Sequence, residues 1–226
     1  MNLAAHYNAL RQAALPRLAS GAAELDTLLD SPHDTRRGLT VLARPPAAIT
    51  AAIEELLADF RRIEPAQYYY PAADMHLTIL SLISAHAGFS LAASEPAAYA
   101  QVVGEALRGL PPFAVRYAGL TAVPGGVLVQ GFPQDEGLER LREARRAGFR
   151  HAGLAHSIDQ RYRLQTAHST VIRFRRPLAS PALLVAALAR CQRQAIGTFE
   201  VTTVELSVSD WYQRARHTQR LATYSL

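Results

Sequence analysis

The chain has 226 residues, about half of them hydrophobic, and a net charge of +5 carried entirely by arginine on the basic side. Without lysine there is no phosphate-loop lysine, no Schiff base and no lysine for a nucleotide-dependent ligase to adenylate. A single cysteine, Cys191, excludes an internal disulfide and a thiolate metal site, while arginine forks suit an anionic ligand.

The first 30 residues read as helical, with Leu10, Leu15, Leu18, Leu25 and Leu29 on a rough helical spacing. Arg11 and Arg17 interrupt what a signal peptide would need, and the apolar run at 177–189 is too short and proline-broken to span a bilayer. A cytoplasmic protein is therefore expected. After the polar break "SPHDTRRG" comes a strand, "LTVLARP", then an amphipathic helix with Ile49, Ile53, Leu56, Leu57 and Phe60 on one side. A tyrosine-rich connection leads to a strand at 75–83, a loop, and a helix at about 95–109. "FAVRYAGLTAV" and "VLVQGFP" follow as a hairpin joined by "PGG". "DEGLERLREARRAGF" reads as a charged helix, "AHSTVIRF" as a strand and "PALLVAALARC" as a short helix. "TFEVTTVELSVSDWY" and "QRLATYSL" read as a final antiparallel pair.

This order predicts an α+β fold with mainly antiparallel sheets, helices outside and a central cleft. Residues 1–37 are an N-terminal helical extension, and 38–226 form one domain of two similar lobes. The lobes are suggested by an internal echo. "LTVLARP", a helix ending at Phe60 and "HLTIL" are answered by "VLVQGFP", a helix ending at Phe149 and "HSTVI". Val41 to His76 spans 35 residues and Val129 to His168 spans 39, and a tyrosine, Tyr70 or Tyr162, stands six positions before each histidine.

His76 and Thr78 share one face of an otherwise apolar strand, as do His168 and Thr170. With eight histidines and thirteen threonines, one His-x-Thr triplet is expected about half the time by chance. Its placement at matching points of a repeated unit, each followed by a β-branched residue, Ile79 or Val171, carries the signal. Two imidazoles facing each other supply a general base and a general acid, and two hydroxyls can hold the non-bridging oxygens of a phosphate between them. The chemistry that fits is in-line attack of water on a phosphodiester, without a metal.

The paired motifs "HLTI" and "HSTV" resemble those of the 2H phosphoesterase superfamily, which includes the bacterial RNA 2′,3′-cyclic phosphodiesterases once called 2′-5′ RNA ligases. The resemblance runs from about residue 38 onward. It implies a bilobed fold and metal-independent, cofactor-free hydrolysis of a 2′,3′-cyclic phosphate of RNA or a nucleotide to a phosphomonoester. It also implies that His76 protonates the leaving ribose oxygen and His168 activates water; the residues alone leave the two roles open. Another small cyclic or 2′-5′ linked nucleotide is the alternative substrate, and a non-catalytic RNA- or nucleotide-binding module is the alternative function. A monomer with no membrane partner is expected.

Tyr70, Tyr162, Arg163, Trp211 and Tyr212 are the candidates for substrate binding, Tyr70 by stacking on a base, Arg163 beside Tyr162 by pairing with phosphate, and Trp211 and Tyr212 by walling the cleft. The remaining histidines, His6, His33, His86, His151, His156 and His217, lack ligand spacing and read as surface or loop residues. Arg140, Arg142, Arg145, Arg146 and Arg150, interleaved with Glu136, Glu139 and Glu143, read as a salt-bridged solvated face. Ser169, between His168 and Thr170, faces away from the site.

Overall fold

The computed structural model describes residues 2–91, 95–160 and 163–226. In chain order these residues form α1 (Leu3–Ala19), β1 (Arg37–Ala43), α2 (Ala47–Ile63), β2 (Tyr68–Tyr69), β3 (Leu77–His86) and α3 (Glu95–Leu107). There follow β4 (Phe113–Val123), β5 (Gly126–Pro133), α4 (Gly137–Ala152), β6 (Ser169–Arg173), α5 (Pro181–Arg190), β7 (Ala195–Val201), β8 (Thr203–Asp210) and β9 (Gln219–Ser225). None of the described helices is long and apolar enough to cross a membrane.

The strands make two antiparallel sheets, one in the order β3-β1-β8-β9 and the other β2-β6-β5-β4-β7. The expected repeat is present: β1, α2 and β3 have their counterparts in β5, α4 and β6, and the strand that follows each motif histidine pairs with the strand that opens its unit. The inner strands β1 and β5 are buried along most of their length on both faces, whereas the edge strand β9 has no buried residue, and the helices cover the sheets. Helix α2 presents Ile49, Ile53, Leu57 and Phe60, spaced to fall on one side, and packs on β7 and α5. Helix α4 packs on α3 and β3, so each unit's helix also reaches the other unit's surroundings.

Three expectations about elements are corrected. The N-terminal helix ends at Ala19, because Ser20 caps it and Gly21 turns the chain with a φ of +76°. Residues beyond it run as turns against the second sheet, where the Glu24 and Asp26 amides donate to the carbonyls of Pro124 and Phe174. The stretch "TFEVTTVELSVSDWY" is two strands, since the chain leaves one sheet at Val201 and enters the other at Thr203. No glycine or proline marks that crossing, so alternation reads straight through it. Finally, only part of the arginine set of α4 is a solvated face: Arg140 and Arg150 are exposed, and Arg140 pairs with Glu136. Arg142, Arg145 and Arg146 are buried, because with Leu138, Leu141 and Phe149 they fall on the helix side that meets the protein.

Helix α1 is bound to the second sheet by buried Tyr7, Ala14 and Leu18. The Tyr7 hydroxyl donates to the Gly131 carbonyl and accepts from the amides of Gly131 and Ala167 at 3.3 Å each. A glycine is required at 131, since a Cβ there would lie 1.7 Å from the Ala167 carbonyl oxygen. This close approach sets the backbone one residue before His168.

Candidate active site

His76 and His168 each stand immediately before the strand that follows, and both line one cavity of about 290 Å³ between the sheets, together with Thr78, Thr170 and Arg173. Four ties hold the two histidine-bearing segments together. Tyr68 and Tyr69 pair with Arg173 and Ile172, so the chain leading to His76 is an edge strand on the sheet of His168. The Tyr70 amide extends that ladder to the Val171 carbonyl. Ser169 faces away from the cavity as expected but is fully buried, and its hydroxyl donates to the His76 carbonyl while accepting from the Tyr117 hydroxyl at 2.7 Å. The Arg142 guanidinium donates to the carbonyls of Thr78, Ile79 and Thr166, bridging both segments from α4.

Each strand carries a β-bulge at the apolar residue that closes its motif. Leu42 and Val41 pair with Thr78 and Leu80, skipping Ile79; Leu128 and Val127 pair with Thr170 and Ile172, skipping Val171. An extra residue shifts the alternation by one, so the fifth residue after each histidine returns to the cavity face. In the first half this residue is Ser81 and in the second it is Arg173. Strict alternation places Arg173 on the far side, which is why sequence reasoning misses it. Its Nε donates to the Tyr70 hydroxyl at 3.4 Å.

The rings are anchored differently. His76 Nδ1 lies 2.8 Å from the Asp74 carbonyl, which only accepts, so Nδ1 carries a proton and Nε2 is left for the cavity. His168 Nδ1 lies 2.8 Å from the Thr166 hydroxyl, which can donate or accept, so this ring can hold either tautomer. Burial pulls both imidazoles down to about 4; the Asp74 carbonyl opposes this at His76, whereas the neighbouring His76, Arg142 and Arg173 add to it at His168. Both rings are thus neutral at pH 7. The acidic residues of the wall are already paired: Asp159 with Arg146, and Asp210 with Arg214 and His217. Arg173 remains as the cation facing the imidazoles, which makes the cavity suited to an anion.

The expected substrate-binding residues part ways. Trp211 lines the cavity, with the Arg36 guanidinium 5.2 Å from its ring centre. Tyr70 also lines it, but it is buried under Tyr68 and supports Arg173 through its hydroxyl. Tyr212 is corrected: it is wholly buried, its hydroxyl donates to Asp26 and accepts from Arg36, and it has no face on the cavity. Neighbouring residues at a strand end point opposite ways, so Trp211 and Tyr212 could not both face the cleft. Arg163 is exposed on the rim of a second cavity and pairs with Glu139 and Glu143. Tyr162 lies outside the described residues.

Two of the histidines read as surface or loop residues make specific contacts. His217 Nδ1 contacts Asp210 at 2.8 Å, and His156 packs edge-on against Phe149. A third triplet, His33–Thr35, sits in an exposed turn and is followed by Arg36 rather than an apolar residue. The apolar fourth position, where the bulge forms, distinguishes the two cavity motifs from it. Sequence reasoning also misses Gln213, which lines the cavity with a φ of +58° and a buried Oε1 that has no hydrogen-bond partner.

Bilobed, with a histidine from each half in one cleft, the chain resembles the 2H phosphoesterases in architecture. No family model matches the chain, and no curated protein matches it in sequence. Among solved structures, TT0787 of Thermus thermophilus is 21% identical with a TM-score of 0.64, over 84% of this chain and 97% of that one. A structure described as a phosphoesterase is 18% identical with a TM-score of 0.57, over 84% and 98%. LigT of E. coli in complex with 3′-AMP is 18% identical with a TM-score of 0.56, over 84% and 98%, and has also been solved with NADP+ and with ATP. At these identities the likeness establishes a shared fold.

Proposed function

We propose that the protein is a metal-independent phosphodiesterase of the 2H type that hydrolyses a 2′,3′-cyclic phosphate of RNA or a nucleotide to a phosphomonoester. The observation that carries this reading is that two bulged His-x-Thr motifs from separate halves line one cavity with Arg173. Water attacks phosphorus in line with the departing ribose oxygen. His168 takes a proton from the water as the new P–O bond forms; His76 gives a proton to the ribose oxygen as the old P–O bond breaks. Thr78, Thr170 and Arg173 donate to the non-bridging oxygens, where charge builds in the transition state.

The assignment of roles follows the ring anchors. A carbonyl behind Nδ1 stabilises the charged form of His76, which suits the acid. A hydroxyl that can accept from Nδ1 lets His168 present a bare nitrogen to water. In the free protein both rings are neutral, so the acid acquires its proton only when the diester anion is bound and favours the imidazolium. The neighbouring LigT structures hold nucleotides, which agrees with a nucleotide ligand here.

The test is a panel of nucleoside 2′,3′-cyclic phosphates, a 2′-5′ linked dinucleotide and short RNAs with cyclic ends, assayed with and without EDTA and with products identified. Turnover that survives the chelator is expected. Tight binding with no product over long incubation would leave a binding module instead. Turnover restricted to the 2′-5′ linkage would reassign the substrate.

A further inference from the structure

A second cavity, of about 470 Å³, opens beyond His168 and shares His168, Thr170 and Arg173 with the first. Its outer wall is helix α1, through His6 and Leu10, and its floor is the β4–β5 turn at Gly125 and Gly126. Resting on the hydrolase reading above, we infer that this cavity is a subsite for a second nucleoside, so that the protein prefers a dinucleotide or longer strand over a mononucleotide.

Size, lining and position support the inference. The volume falls within the range of about 300–1,000 Å³ usual for small-ligand sites. Leu10, Val123 and Leu128 give apolar surface for the face of a base, and the His6 ring, which lines the same cavity as His168, can stack on it. Exposed Gln165 offers an amide to the edge of a base. Arg163, the other cation on this rim, is held by Glu139 and Glu143, so the walls present apolar surface and an amide rather than a second phosphate site. The wall is fixed, because Tyr7, next to His6, is hydrogen-bonded to Gly131 and Ala167. A phosphate held at Arg173 would therefore have room for a nucleoside on either side of His168.

The experiment is calorimetric titration of the full chain with 3′-AMP and with a dinucleotide ending in the same 3′-phosphate. The dinucleotide is expected to bind about tenfold more tightly, the scale of one stacked base. In His6→Ala, which removes the ring, and Leu10→Trp, which fills the cavity, the ratio should fall to about threefold or less. Thermal melts confirm that each variant is folded. Equal affinities in the wild-type protein, no binding of either ligand, or an unchanged ratio in both variants would overturn the inference. Binding is read without turnover, so the two readings separate. A tenfold gain in a protein that hydrolyses no cyclic phosphate keeps the subsite and removes the hydrolase. Hydrolysis of mononucleoside cyclic phosphates with no such gain does the reverse.

Discussion

The two halves share a skeleton and differ in chemistry. Both place a histidine before a strand, a threonine two residues on, and a bulge at the next residue. In the first half the bulge returns Ser81 to the cavity; in the second it returns Arg173. The first histidine is backed by a carbonyl and the second by a hydroxyl. The helix of the first half buries an apolar stripe, whereas that of the second buries three arginines beside its apolar residues. A repeated fold supplies two equivalent positions, and one or two substitutions on each side make them unequal.

The largest effect expected is at the shared positions. His76→Ala and His168→Ala should each lower turnover by about 10²–10⁴-fold, read as kcat on a cyclic phosphate with folding checked by circular dichroism. If either variant keeps wild-type turnover, the two halves do not act as a pair. Next comes the position where they diverge. Arg173→Ser gives the second half the residue of the first, and should cost about 10²–10³-fold in kcat, as losing a donor to developing charge does elsewhere. Unchanged turnover would mean that the bulge directs the arginine to the cavity without catalytic consequence.

The ring anchors predict a smaller, pH-dependent difference. Burial depresses both imidazoles to about 4 in the free protein, so kcat/KM, which reports free groups, should peak on the acidic side. A bound diester anion favours imidazolium and raises the ring's proton affinity, so kcat should peak about one pH unit higher. Coincident optima would count against the proton being taken up in the complex. Thr166→Val removes the hydroxyl behind His168, the base, and should lower kcat about tenfold while moving its acid limb, with Thr166→Ser restoring both. A loss that the serine leaves unrepaired would mean that Thr166 serves packing alone.

These contrasts also explain what could be read from the residues in order. The motifs were legible because a histidine and a threonine on one face of an apolar strand conflict with simple burial, and because the conflict recurs after an equivalent helix. The bulges were not, since an inserted residue leaves no mark in a run such as "HSTVIRF", and Arg173 was hidden with them. The α2 stripe was legible from its period, but arginines on the inner side of α4 resemble an ordinary charged helix. The crossing at Thr202 carries no turn residue. Trp211 and Tyr212 could have been separated by alternation alone, which turns one to the cleft and the other to the core.

Two of the three arginines buried by α4 sharpen the comparison of the helices by opposite routes. Arg142 spends its nitrogens on three carbonyls and ties the motifs together. Arg145 is as deeply buried, yet none of its guanidinium nitrogens has a hydrogen-bond partner. A buried charge without partners costs stability, and burial accordingly lowers its proton affinity. Methionine fills a similar elongated volume without the charge. Arg145→Met should therefore leave stability unchanged or raise it, by up to about 1–4 kcal/mol as in other replacements of buried ionic groups, measured by urea unfolding. Arg142→Met should lower it, because three carbonyls lose their donor and the link between the two histidine segments is cut. A loss of stability in the Arg145 variant equal to that in the Arg142 variant would mean that both arginines hold the second helix in place, and that the inner faces of the two helices differ by design at both positions.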